Sequence, residues 1–228
     1  MLTGQGILDV WERAQGRGPT AAALVLLAAA TPGVSWEDLG ALPVGERDRR
    51  LLALREQTLG PCLEAFARCP ACSEALDLAL DAAAFATGEA PSELHLDGLR
   101  FRLPNSLDLL AAERCFDVED ARRLLAERCL LEPEGHELTE AEIAAMAAAM
   151  TEADPGAELL LDLLCPACGE GWSEPFDIAT FFRAELDVQA RRLLREVHAL
   201  ARAYGWRESE VLALTPGRRR VYLEMLGS

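Results

Sequence analysis

The chain has no lysine: all 22 basic residues are arginine, set against 38 acidic ones, for a formal charge of −16. In so alanine-rich a sequence that usage reflects a GC-rich genome more than a mechanism. The shortage of positive charge argues against nucleic-acid partners, because phosphate contacts need clustered cations. What excess exists lies at one end. From Arg191 onward eight arginines face four glutamates, a balance of +4, and the remainder has 14 arginines against 34 acids, or −20. Long apolar runs are missing too. The best, Ala21 to Ala30 (AAALVLLAAA), falls well short of the roughly 20 residues a membrane-spanning helix needs. The N-terminal MLTGQGILDVWER has no basic start and turns acidic at once, unlike a secretory signal. These absences predict a cytoplasmic protein with no membrane partner.

Catalytic signatures are lacking as well. No glycine-rich phosphate loop, no GxSxG and no HExxH occurs. The three histidines, His95, His136 and His198, lie far apart, and Glu132/Glu134 and Glu140/Glu142 read as solvated loop and helix-start charge. The expectation is a protein that is not an enzyme and takes no small-molecule substrate.

What is there begins with a globular composition: 228 residues, half of them hydrophobic, enough to bury a sizeable core. Residues 1–66 read as a helical N-terminal segment. Within it, Pro19-Thr20 opens an alanine/leucine helix that stops at Thr31-Pro32-Gly33. VGERDRRLLALREQTLG forms a charged helix ending at Gly60, and PCLEAFARC a short helix leading into a Cys-Pro-Ala-Cys motif. Residues 67–103 hold that motif, the alternating EALDLALD, and a hairpin around Asp97-Gly98, a dipeptide suited to positive φ. Residues 104–156 form an inserted segment of three short helices, started by Asn105-Ser106, by Asp117 and by the capping box Thr139 to Glu142. Residues 157–177 carry ELLLDLL, read as a buried strand, and a second Cys-Pro-Ala-Cys. In 178–228 a long helix lays Phe182, Leu186, Leu193, Val197, Leu200 and Tyr204 on one stripe, stops at Gly205, and is followed by two short helices.

Seven cysteines, an odd number, argue against a disulfide framework. Cys62, Cys115 and Cys129 fall in segments read as helical, where cysteine acts as a small buried apolar residue. The other four make Cys69-Pro-Ala-Cys72 and Cys165-Pro-Ala-Cys168. A CxxC turn points both sulfurs to one side, and two such knuckles face to face give the tetrahedral cage that zinc favours. The rival is redox chemistry, in which the motif opens a helix whose N-terminus stabilises a thiolate. Here Cys168 runs into Gly-Glu-Gly-Trp and Cys72 into an alternating stretch, so neither motif opens a helix. A third reading leaves both knuckles reduced and free of metal. The long chain between the pairs is no obstacle, because closure cost grows slowly with loop length. The metal reading assigns one structural zinc to Cys69, Cys72, Cys165 and Cys168, with no coordination position open for catalysis. The fold class that follows is α+β, mainly helical: a small zinc-ribbon-like sheet stapled by two CPxC knuckles, with helical N-terminal, inserted and C-terminal segments.

From Arg47 onward the order of motifs resembles a known family. RDRRLLALREQTLG precedes the first knuckle, RFRLPNSLDLLAAE follows the hairpin, and FDIATFF, EVHALARAYGW, SEVLAL and RRRVYLEML follow the second knuckle. This pattern is similar to the T-even-phage-type baseplate proteins, in their zinc-ribbon-bearing branch. These are hub assembly chaperones of contractile phage tails and of phage-tail-like injection systems. The resemblance implies non-enzymatic work on baseplate hub or spike proteins, as a transient assembly factor or as a retained structural component. It brings no catalytic residues. Two other classes compete: a zinc-ribbon regulator that binds nucleic acid, and a CPxC redox protein. Candidate partner contacts are Trp172, Phe176, Phe181, Phe182, Trp206, Arg218, Arg219, Arg220 and Tyr222, since aromatics and arginine dominate binding hot spots. For the aromatics, burial in the protein's own core is the commoner fate.

Overall fold

The computed structural model describes residues 2–81, 85, 88 and 90–226. α1 (Gly4–Ala14) starts at Thr3, whose hydroxyl accepts the Gly6 amide. α2 (Pro19–Ala30) begins with proline and is apolar on every side. A helix without a polar face has to sit inside. It is packed between α1, α3 (Trp36–Gly40), α4 (Val44–Leu59), α5 (Ser106–Ala112) and α8 (Ile178–Tyr204).

α4 ends at Gly60, whose φ of 98° turns the chain directly into β1 (Cys62–Arg68). The short helix expected over PCLEAFARC is therefore a strand, and the boundary drawn at residue 66 cuts through it. β1 pairs antiparallel with β2 (Ala75–Asp81), setting Leu63 opposite Leu80 and Ala67 opposite Leu76. The alternation is visible in burial: Leu63 and Ala67 point inward, Glu64, Phe66 and Arg68 outward. A strand at period two satisfies that pattern and gives β2 the partner it needs; a helix would do neither.

β3 (Leu94–Leu96) and β4 (Leu99–Phe101) form the expected hairpin, with Asp97 at φ 48° and Gly98 at φ 86°. α5, α6 (Val118–Cys129) and α7 (Glu140–Ala153) follow, capped by Asn105, Asp117 and Thr139. β5 (Leu130–Glu132), between α6 and α7, was not anticipated and joins β4. β6 (Leu159–Leu164) pairs with β7 (Gly171–Phe176), another strand absent from the sequence reading. β6 is half-exposed rather than buried, since Leu160 and Leu164 retain 54% and 70% of their accessible surface. Leucine on both faces makes a strand read as buried whichever face meets the core. Among the described residues the strands form three small antiparallel sheets: β1–β2, β3–β4–β5 and β6–β7.

Asp177 caps α8, accepting the Ala179 and Thr180 amides, and Gly205 ends it at φ 69°. The stripe from Phe182 to Leu200 is buried as expected, while Tyr204 emerges at the surface. α9 (Glu208–Ala213) and α10 (Pro216–Leu226) fold back on α8. The largest core joins α1, α2, α4 and the first half of α8, with Leu63 of β1 sealed into it. A second joins α1, the far half of α8 and α9, and a third packs β4 against α6 and α7. The whole is a mainly helical α+β fold, and among the described residues no helix is long and apolar enough to cross a membrane.

Charged side chains tie these parts together from inside. Arg55, 2% exposed, reaches from α4 to both carboxylate oxygens of Glu185 on α8, at 2.9 and 2.6 Å. It also donates to the carbonyls of Gly60 and Cys62, at 2.6 and 2.8 Å, so one guanidinium holds the α4–β1 bend against α8. Asp108, fully buried, receives Arg102 and Arg128 and completes the capping box of α5.

Candidate metal centre

Each Cys-Pro-Ala-Cys sits at the tip of a hairpin, the first between β1 and β2, the second between β6 and β7. The two turns are built alike. The Cys69 amide donates to the Glu74 carbonyl at 2.9 Å, and the Cys165 amide donates to the Glu170 carbonyl at 2.8 Å. The Ser73 amide returns to the Cys69 carbonyl at 2.9 Å, and the Gly169 amide to the Cys165 carbonyl at 3.0 Å. Both turns require a left-handed residue at this last position: Gly169 at φ 77° and Ser73 at φ 63°. Glycine takes that conformation without strain; for serine it costs about 1–2 kcal/mol.

The hairpins bring all four sulfurs within 4.8 Å of one another. Cys69 Sγ lies 3.6 Å from Cys168 Sγ, and Cys72 Sγ lies 3.6 Å from Cys165 Sγ, so each close pair bridges the two hairpins. Four sulfurs each about 2.3 Å from a central ion would stand about 3.8 Å apart in a regular tetrahedron. The cluster is therefore close to the size a tetrathiolate metal site requires. Cys69 and Cys165 are buried against Leu76, with Trp172 packed beside them, while Cys72 and Cys168 face solvent. These four residues can hold one metal ion.

The electrostatics favour a cation. The amides of Cys72 and Ala71 point at Cys69 and lower its pKa to about 7. Cys168 is pushed up to about 12: the Glu170 amide favours its thiolate, but the neighbouring cysteine sulfurs outweigh that bond. Cys72 is raised too: the Glu74 amide and the Cys168 sulfur favour its thiolate, but desolvation and the Cys165 and Cys69 sulfurs outweigh them. One thiolate thus forms readily and the next ones meet its negative charge. A divalent ion at the centre removes that repulsion.

The remaining candidates scatter. Phe182 is a core residue with no exposed surface, so it is closed to a partner. Phe176 and Phe181 are half-buried and packed together with Phe85 beside the main core, ring centroids 4.9 and 5.2 Å apart. Trp206 and Tyr222 meet edge to face at 4.9 Å, beside Tyr204. Arg219 is buried, donating to Glu196 at 3.0 Å and to the Leu214 carbonyl at 2.9 Å, and serves to fasten α10 to α8. Arg218 and Arg220 are exposed. Of the three other cysteines only Cys129 is buried as expected; burial pushes its thiol up to about 12. Cys62 is exposed because its expected helix is strand β1, which it opens, and Cys115 is half-exposed because α5 ends at Ala112, before reaching it.

Comparisons with protein-family models, with curated proteins and with solved structures find no match.

Proposed function

We propose that Cys69, Cys72, Cys165 and Cys168 hold one structural zinc ion, and that the chain is a non-enzymatic assembly factor acting by protein–protein binding. The observation that carries the zinc reading is the cross-hairpin sulfur cluster with its two matching turns. An all-sulfur tetrahedral donor set suits zinc or iron, and a complete tetrathiolate leaves no position for water or substrate. The ion is then a staple. It joins two hairpins that, among the described residues, share no ladder hydrogen bonds, and so fixes β7 and the start of α8 relative to β1.

The biological context of the proposal is assembly of the baseplate hub of a contractile phage tail or phage-tail-like injection system, with hub or spike proteins as partners. Its support is the run of sequence blocks on either side of the knuckles. The acidic body, which repels phosphate, favours a protein partner over nucleic acid. Deleting the gene in a host that makes such particles is expected to abolish baseplate assembly while finished particles lack the protein. Normal assembly without the gene would overturn the reading, and stoichiometric presence in finished particles would make it a baseplate component.

A further inference from the structure

We infer that the groove between α8 and α10 is a docking site for an acidic amphipathic helix of a partner protein. This rests on the reading of the chain as a protein-binding factor, and it names the surface and the partner chemistry. The groove has a volume of about 420 Å³ and is lined by Val188, Arg192, Arg195 and Glu196 of α8 and Leu223 of α10. Its apolar part is open to solvent: Val188 is 61% exposed, and Leu223 is half-exposed.

Its charge is positive. Val188, Arg192 and Arg195 follow each other at helical spacing, so the two arginines stand in line beyond the valine. Arg195 spends its Nε on the Arg191 carbonyl at 3.2 Å, not on a carboxylate. Among the described lining residues the acid is Glu196, and two guanidiniums answer its one carboxylate: Arg192 and Arg219 each donate to it at 3.0 Å. The groove also lies in the segment with a balance of +4, in a chain whose remainder carries −20. A helix laid between α8 and α10 would bury Val188 and Leu223 under an apolar stripe and place flanking glutamates beside Arg192 and Arg195. That is the helix-in-groove mode of recognition, with sign selection by the rim. The acidic remainder of the protein would repel the same segment elsewhere, which confines it to this face.

The test uses the full metal-loaded chain and two synthetic helical peptides that share a leucine stripe. One carries glutamates on both flanks; its twin carries lysines at the same places. The glutamate peptide is expected to bind with salt-sensitive affinity and the lysine twin not to bind. Exchanging both arginines, Arg192→Glu with Arg195→Glu, should weaken the glutamate peptide by more than about tenfold and admit the lysine twin. Val188→Glu, at an exposed site that does not threaten folding, should weaken it as well. The inference is overturned if neither peptide binds, if both bind alike, or if the arginine variant binds the glutamate peptide unchanged. It is also overturned if a thymidine oligonucleotide binds through the same arginines, or if sedimentation shows that the groove is filled by a second copy. Metal content of the same samples, and particle assembly with the arginine variant, separate failure of the groove from failure of the zinc site or of the assembly role.

Discussion

Replacing Arg55 with methionine removes the guanidinium while keeping most of the side-chain volume. The loss is specific: two bonds to Glu185 and two backbone carbonyls, Gly60 and Cys62, that have Arg55 as donor. Breaking a buried ion pair from one side costs about 3–5 kcal/mol, because the remaining charge keeps its desolvation penalty. Glu185 retains 23% of its side-chain exposure and can recover some water, which places the expectation at the low end, about 3 kcal/mol. For a chain of this size that is a fall in Tm of roughly 6–12 °C. Removing both charges, in Arg55→Met with Glu185→Leu, should cost about 1–2 kcal/mol less than Arg55→Met alone, since no carboxylate is then stranded. Urea and thermal denaturation of the metal-loaded protein, arranged as a double-mutant cycle, measures the coupling directly. The reasoning fails if Arg55→Met costs under about 1 kcal/mol, or if the double variant costs the sum of the two single changes.

Two further perturbations probe the joints between segments. Asp108 is desolvated, which alone would raise its pKa, but bonds from Arg102, the Asn105 amide and Arg128 outweigh burial and hold it below the ordinary carboxylate range. A depressed carboxylate stabilises the fold above its unfolded value, near pH 4, and loses that contribution as pH falls through the lower folded value. Asp108→Asn should therefore cost about 2 kcal/mol at neutral pH and much less in acid; an equal cost at both would contradict the assignment. At the start of α4, a Cβ on Gly45 would lie 1.9 Å from Asp154 Oδ1, whose carboxylate accepts the Gly45 amide at 3.0 Å. Gly45→Ala should cost about 2 kcal/mol by expelling that cap, and most of the cost should vanish in an Asp154→Ala background. If the cost persists there, the clash is not its origin.

The sequence was most legible where local chemistry alone decides structure. Pro19, Asn105, Asp117 and Thr139 each start a helix, and Gly60 and Gly205 each end one, as cap and stop residues should. Asp97-Gly98 turned the hairpin it promised, and the four knuckle cysteines met as their spacing predicts. It was least legible where a strand depends on a distant or weak partner. CLEAFAR carries helix formers, yet β2 and the core contact of Leu63 hold it as a strand. GWSEPF contains glycine and proline and has little β character of its own, but antiparallel pairing with β6 and the knuckle between them make it one. Leu130 to Glu132 is too short to announce itself and exists only because β4 offers an edge. The burial of Arg47, Arg55 and Asp108 was hidden for a related reason, since charge in a sequence reads as surface until its partner is known.

The central claim is that the two hairpins are stapled by zinc through Cys69, Cys72, Cys165 and Cys168. Elemental analysis combined with native mass spectrometry, on protein purified without added metal, tests it most directly. The account predicts about one zinc per chain, in keeping with a four-sulfur site, and its loss in Cys165→Ser. Metal content near zero and unchanged by Cys165→Ser, or iron in place of zinc, would contradict it.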